Sequence, residues 1–153
     1  MRIALGADER NHLTDFLVAD LTARGHELIL FGPLRPDAQP HDEANLWPRV
    51  AHAVATAVAD NLADEGIVCC WTGTGVSIAA NKVPGIRAAL CADAETARGA
   101  RLWNRANVLA LSLRLTSEPV AKEILDAWFG TPLGEDPVDI RCVDYLTTIE
   151  QSA

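Results

Sequence analysis

The stretch Gly66–Cys91, GIVCCWTGTGVSIAANKVPGIRAALC, decides how the chain is read. Its first five residues run apolar without a break, as a strand buried on both faces requires. The run ends at Cys70. Gly73 and Gly75 then lead into a short alanine-rich helical segment expected to begin near Val76 or Ser77. Such a helix start carries unpaired N–H groups and the positive end of a helix dipole, which favour an anion or a developing oxyanion. The same field favours the thiolate of a neighbouring cysteine. The pattern T-G-T-G-V-S is neither a Walker loop, which needs Gly-Lys-Ser/Thr, nor the G-x-G-x-x-G dinucleotide fingerprint. Alone it also fits an ordinary strand–helix connection, and a lone strand cysteine is more often simply buried. Strand alternation turns Cys69 to the opposite side, where it reads as core.

Outward from this stretch, short β-rich runs alternate with helical patterns. The runs are Arg2–Gly6, Glu27–Phe31, Gly66–Cys70, Ile86–Cys91 and Asn107–Leu113. His12–Arg24 sets Leu13, Phe16, Leu17 and Leu21 on one stripe, and Gly25 follows as a stop signal. Pro48–Ala63 repeats Val50, Val54 and Val58, Asp93–Trp103 opens on a good N-cap, and Thr116–Phe129 ends at Gly130. Trp128, late in that last helix, reads as core. This β-α-β-α order predicts an open, five-stranded parallel sheet with helices on both faces. Ligands bind beyond the carboxyl ends of such strands. The residues that matter most are therefore Asp8-Glu9-Arg10, Cys70–Gly75, Ala92-Asp93 and Arg114. Pro33–Asn45 is a polar loop suited to a rim or lid. Residues 131–153 hold a weak helical pattern around Ile140–Ile149, expected to pack on a neighbour or partner subunit rather than form a second domain.

A chain of 153 residues holds one domain with a full core. The net charge of −8 argues against a nucleic-acid or anionic-membrane surface. No apolar run approaches the roughly 20 residues that span a bilayer. The opening MRIALGADERN reaches Asp8 and Glu9 too soon for a secretory leader. Cys69, Cys70, Cys91 and Cys142 show no C-x-x-C spacing and no nearby histidine cluster, so neither a zinc site nor a disulfide framework is expected. A reducing cytoplasm is the expected compartment.

Ser77–Cys91 closely resembles the motif S-I-A-A-N-K-V-x-G-I-R-A-A-L-C of the ribose-5-phosphate isomerase B family, which also contains galactose-6-phosphate isomerase subunits. Weaker similarity runs from Met1 to about Gln151, including Asp8 and ANVLAL at Ala106–Leu111. The resemblance implies a Rossmann-like three-layer α/β domain over residues 1–153. It further implies homodimers, sometimes tetramers, with shared active sites and the 131–153 tail at the interface. The activity it implies is cofactor-free, metal-free aldose–ketose isomerisation of a sugar or sugar phosphate through an enediolate. Cys70 falls on the strand-end cysteine that moves the proton in one branch. The other branch uses a glutamate where this chain has Val76. Thr72, Gly73, Gly75 and Ser77 match the loop that holds the sugar and its oxyanion. Asp8 matches an acidic residue that binds sugar hydroxyls, and Asn104 matches an asparagine of the same pocket.

The departures from that pattern cluster around the pocket. Glu9 stands where the family usually has histidine, and Trp71 where it has glycine. Trp103 replaces the histidine that opens the sugar ring. Cys142 and Val138 occupy or adjoin the places of two phosphate-binding arginines. Trp cannot shuttle a proton, but it stacks on the apolar face of a sugar or walls off a shorter one. Trp71 and Trp103 are therefore expected to form one aromatic wall beside the glycine loop. Arg10, Arg105, Arg114 and Arg141 are candidates for a relocated anion site, and Arg114 is the best placed. Trp47-Pro48 falls where the family often has Tyr-Pro at the edge of the site. The expected substrate is a short sugar phosphate that cannot cyclise, such as a tetrulose phosphate, or a non-phosphorylated sugar. The alternative is a catalytically silent sugar-binding or regulatory homologue.

Overall fold

Five short runs dominated by apolar side chains cannot each find a separate core, and in the computed structural model, which describes residues 1–152, they pair into one parallel sheet. The elements alternate along the chain: β1 (Arg2–Ala7), α1 (His12–Ala23), β2 (Glu27–Phe31), α2 (Trp47–Ala59), β3 (Glu65–Cys70), α3 (Thr74–Ala80), β4 (Ala88–Leu90), α4 (Ala94–Asn104), β5 (Val108–Ser112), α5 (Glu118–Gly130) and α6 (Pro137–Gln151). Two short 3-10 turns, Gly32–Leu34 and Glu43–Asn45, interrupt the β2–α2 connection. The strand order is β2-β1-β3-β5-β4. The central strands β3 and β5 are buried along their whole length, which is why they read as continuous apolar runs.

Helices cover both faces and give three layers. Leu5, Leu17, Cys69, Leu111, Leu125 and Trp128 meet in one core, between the sheet and α1, α4 and α5. Val54, Val68, Cys70, Val76 and Ala110 meet in the other, under α2 and α3. Cys69 and Cys70 thus face opposite ways, as alternation requires. Trp128 is fully buried.

Besides shifts of one or two residues at other element ends, four features differ from the sequence reading. The helix after the glycine loop starts at Thr74 rather than Val76 or Ser77, because Gly73 at φ +74° ends the turn and leaves the next residue free to be helical. The strand expected over Ile86–Cys91 shortens to Ala88–Leu90. The Pro84-Gly85 turn precedes it, and the Arg87 N–H donates to Asn107 Oδ1 (2.8 Å) rather than to a ladder. The outer edge of β4 is closed by Asn81, whose side chain bonds both backbone groups of Ala88 at 2.8 Å. Helix α2 stops at Ala59, not Ala63, where Asn61 turns left-handed at φ +59° to re-enter the sheet. The weak tail pattern becomes a full helix, α6, capped by Asp136, and none of its residues is buried. Among the described residues, no helix is long and apolar enough to cross a membrane.

Candidate functional site

From β1 the chain passes through α1 to β2 at the sheet edge, then through α2 to β3 on the other side of β1. The connections leaving β1 and β3 therefore run to opposite faces, and a crevice opens beyond their carboxyl ends. Asp8 follows β1 and Cys70 ends β3. The register Ala7↔Cys69 sets these two residues side by side.

Cys70 is 6% exposed, at the mouth of the α2/α3 core. Its carbonyl accepts from the backbone N–H of Leu113 (3.0 Å) and of Gly73 (3.2 Å). The Trp71 carbonyl accepts from the Arg114 N–H (3.0 Å) and from Ser112 Oγ (2.9 Å). These bonds tie the loop to the end of β5. Ser112 was not singled out by the sequence reading, although a lone hydroxyl closing an apolar strand was the available signal. At Gly73, a Cβ would meet Leu90 Cδ1 at 2.6 Å and the Leu111 carbonyl carbon at 2.9 Å, so glycine is required by space as well as by φ. The first-turn amides of a helix have no intrahelical partner, and no side chain caps α3. Thr72 and Thr74 join their hydroxyls at 2.7 Å beside that start, and Ser77 lies one turn further on, half-buried.

Of the four thiols, burial pushes Cys69 far up, with smaller contributions from Cys70 and Asp8, and pushes Cys91 up to about 12. Both are held as neutral core groups. Asp8 is half-buried, and its Oδ1 is shielded from solvent without a hydrogen-bond partner. Burial holds its pKa above the usual carboxylate range, the Asp8 and Glu9 amides pull it back, and the charge of exposed Glu9 adds to the rise. Asp8 opens on a cavity of about 650 Å³ walled by Pro33, His41, Asp42, Asn45 and Leu46. The expected rim, Pro33–Asn45, thus lies over the crevice. It carries His41 in a left-handed backbone conformation, and a second shielded, unpartnered oxygen, Asn45 Oδ1, which the sequence reading missed. Trp47 lies against Gly75, where an added Cβ would meet its ring at 3.0 Å. Among the described residues, no three His, Cys, Asp or Glu side chains are grouped as a metal ion would need.

Other expected members stand elsewhere. Helix α4 returns the chain to the amino end of the sheet, so Trp103 and Asn104 lie at the opposite end from Cys70 of the same chain. Asn104 lines a different cavity, with Ile86, Arg87, Ala106, Leu146 and Ile149. The Trp103 ring lies over Gly99 of its own helix, and both Trp71 (55% exposed) and Trp103 (61%) reach solvent. The single aromatic wall is therefore not formed within one chain. The four arginines are dispersed too. Arg10 pairs with Asp15 at 2.7 Å. Arg105 donates to the Gly134 carbonyl at the far end. Arg141 sits exposed on α6. Only Arg114 adjoins the glycine loop, exposed and with no ion pair among the described residues.

With this arrangement in view, the likeness to known proteins is specific. A family model described as Ribose/Galactose Isomerase matches residues 3–144. The chain is 39% identical over 151 residues to a ribose-5-phosphate isomerase B of Escherichia coli K12, covering 98% of this chain and 97% of that one. It is equally identical, over 134 residues, to a D-erythrulose-4-phosphate isomerase of Pectobacterium atrosepticum, covering 84% of this chain and 82% of the relative. The structure of ribose-5-phosphate isomerase B from Clostridium thermocellum superposes with a TM-score of 0.88 at 36% identity, covering 99% of both chains.

Proposed function

The chain belongs to the ribose/galactose isomerase family of aldose–ketose isomerases, and from that premise we propose that Cys70 is its proton-transfer base and a short sugar phosphate its substrate. One observation carries the reading. Cys70 ends β3 beside the uncapped start of α3, with Asp8 adjacent across the β1/β3 crevice. Isomerisation needs a base for a weakly acidic proton next to a carbonyl, and donors for the oxygen that becomes negative. The Cys70 thiolate takes the proton from the carbon bearing hydroxyl and hydrogen, giving an enediolate. It then returns the proton to the former carbonyl carbon, while the hydroxyl proton passes from its own oxygen to the former carbonyl oxygen, so the C=O and C–OH exchange places with no net redox change. The α3 amides and the Thr72 hydroxyl stabilise the enediolate oxygen. Asp8 and Glu9 hold sugar hydroxyls, Gly73, Gly75 and Ser77 shape the cradle, and Trp71 narrows its mouth. Arg114 meets the negative end of the substrate.

A four-carbon ketose phosphate such as D-erythrulose 4-phosphate needs no ring-opening group, which fits tryptophan at position 103. It also fits the erythrulose-phosphate relative. Two copies share each site, so that Trp103 and Asn104 of one reach the crevice of the other. Exposed Val138, Tyr145, Leu146 and Ile149 on α6 supply an apolar face for that contact. The test is proton NMR in D₂O with D-erythrulose 4-phosphate, D-ribose 5-phosphate and unphosphorylated C4–C6 sugars. Faster isomerisation and deuterium incorporation with the tetrulose phosphate is expected. Preference for ribose 5-phosphate overturns the substrate assignment, and no exchange with any sugar leaves a silent sugar-binding homologue.

A further inference from the structure

At the amino end of the sheet, three distant residues close a buried polar cluster that the proposed chemistry does not use. Glu65 opens β3, Arg101 lies in the last turns of α4, and Trp128 sits in α5. Trp128 Nε1 donates to Glu65 Oε2 at 2.5 Å, and Arg101 Nη2 pairs with Glu65 Oε1 at 2.6 Å. The guanidinium stacks 4.9 Å above the Trp128 ring, and its Nη1 donates to the Ala106 carbonyl at 2.7 Å, just past the helix end. Both charged side chains are about nine-tenths buried. From the other side, the Gly134 N–H donates to the Arg101 carbonyl (3.3 Å), and Arg105 Nη1 donates to the Gly134 carbonyl (2.5 Å). The approach is so close that a Cβ on Gly134 would lie 1.8 Å from the Leu102 carbonyl oxygen.

Helix ends ordinarily fray. This one is gripped on two sides, although the residues it presents, Trp103 and Asn104, are exposed. A buried ion pair is poor evidence of stabilisation, since apolar side chains of similar volume do as well. Arg101 Nε even stays shielded and unpartnered. What the cluster supplies is direction: planar, two-ended bonds that set the angle of the turn. We propose that Glu65, Arg101 and Trp128, with the Gly134 strap, are positioning residues that aim Trp103 and Asn104 into the site of a second copy of this chain. The proposal rests on the shared-site reading above. Within its own chain the cluster stands about 16 Å of strand away from Cys70, so its effect on turnover must pass to the partner.

Mixed dimers of two differently tagged chains separate the possibilities, assayed with D-erythrulose 4-phosphate, or with D-ribose 5-phosphate should that be the faster substrate. Trp128→Phe removes the indole N–H and keeps a smaller aromatic ring under the guanidinium, and Glu65→Gln serves where that variant does not dimerise. The homodimeric variant should lose about tenfold in kcat/KM. Paired with Cys70→Ala, it should recover about half of wild-type turnover, since one site then unites an intact base with an intact turn. The control pair, Cys70→Ala with Asn104→Ala, should recover likewise. If the control recovers and the Trp128→Phe pair does not, the cluster acts on its own chain and the positioning role falls while the shared site stands. If neither recovers, the shared site falls and positioning with it. Wild-type kcat/KM in the homodimeric variant, with only a lower melting temperature, also overturns the proposal.

Discussion

At the carboxyl end of β1 and β3, Asp8 keeps a shielded oxygen without a partner, and α3 begins with no side-chain cap. At the amino end of β3, both oxygens of Glu65 are bonded within 2.6 Å, one to Arg101 and one to Trp128. The strand is the same and its length is buried throughout. Unsatisfied donors and acceptors weaken a fold and are retained where a ligand completes them. Satisfied ones hold geometry, as the Glu65 carboxylate does, although Arg101 Nε beside it stays unpartnered. The carboxyl end is thus built to receive something, and the amino end to hold something still. Substitutions at the first should cost turnover with little loss of stability, and those at the second should cost stability together with turnover at the partner's site.

The largest effect expected is at Cys70. Cys70→Ala should lower isomerisation and deuterium incorporation by about 10²–10⁴-fold with the melting temperature nearly unchanged. Cys69→Ala, on the other face of the strand, should stay within a few-fold in rate and lose about 1 kcal/mol from the core. Equal losses of activity in both variants would remove the role assigned to Cys70 at the carboxyl end, because neither thiol would then be singled out.

Arg101→Met is the matching blow at the amino end. It leaves Glu65 buried and unpaired, and should cost about 3–5 kcal/mol in denaturant unfolding. Removing the charge as well, in Arg101→Met with Glu65→Gln, should restore much of that loss. A double variant no more stable than the single one would mean that Glu65 does not depend on Arg101.

How much of this was legible beforehand differs between the ends. The strands and their alternation followed from the apolar runs, and Asp8, Cys70 and the glycine loop follow strands directly, so their neighbourhood was readable from order alone. Asn104 and Trp103 were identified by resemblance without regard to direction. Yet a helix that follows a parallel strand must carry the chain back to the amino end, and that places them away from Cys70. The Glu65–Arg101–Trp128 cluster had no local signal. Its members are far apart in sequence, and only tertiary packing unites them. The length of β4 was overread for a similar reason, since Asn81 and Asn107 satisfy backbone groups that a propensity reading assigns to a ladder.

A smaller effect tests whether position 103 sharpens the choice of substrate. Trp103→His should raise turnover of D-ribose 5-phosphate by about tenfold, since imidazole supplies the acid–base group that opening its ring needs. Turnover of D-erythrulose 4-phosphate, which has no ring to open, should not rise. The gain should also appear in trans, in mixed dimers where only the chain opposite an intact Cys70 carries the histidine. A rise for both sugars would point to simple widening of the pocket.

The smallest effect is the one that most directly opposes function to stability. Burial holds the Asp8 carboxyl above its usual range, so the folded chain binds that proton more tightly than the unfolded chain does. The sign follows from linkage. Below the ordinary aspartate range both states are protonated and nothing is lost. As pH rises through that range toward the folded value, the unfolded chain releases its proton first and stability falls. Asp8→Asn removes this penalty. At neutral pH it should raise the melting temperature by about 1–3 °C, with the gain disappearing as pH drops below the ordinary aspartate range. Saturating substrate should narrow or reverse the gap, because the sugar hydroxyls that complete the wild-type carboxylate bond the amide less well. The variant should therefore be more stable when free and a poorer isomerase. A lower melting temperature at neutral pH, or a gain that persists into acid, would place the unpaired oxygen of Asp8 among the structural groups and dissolve the contrast between the two ends of the sheet.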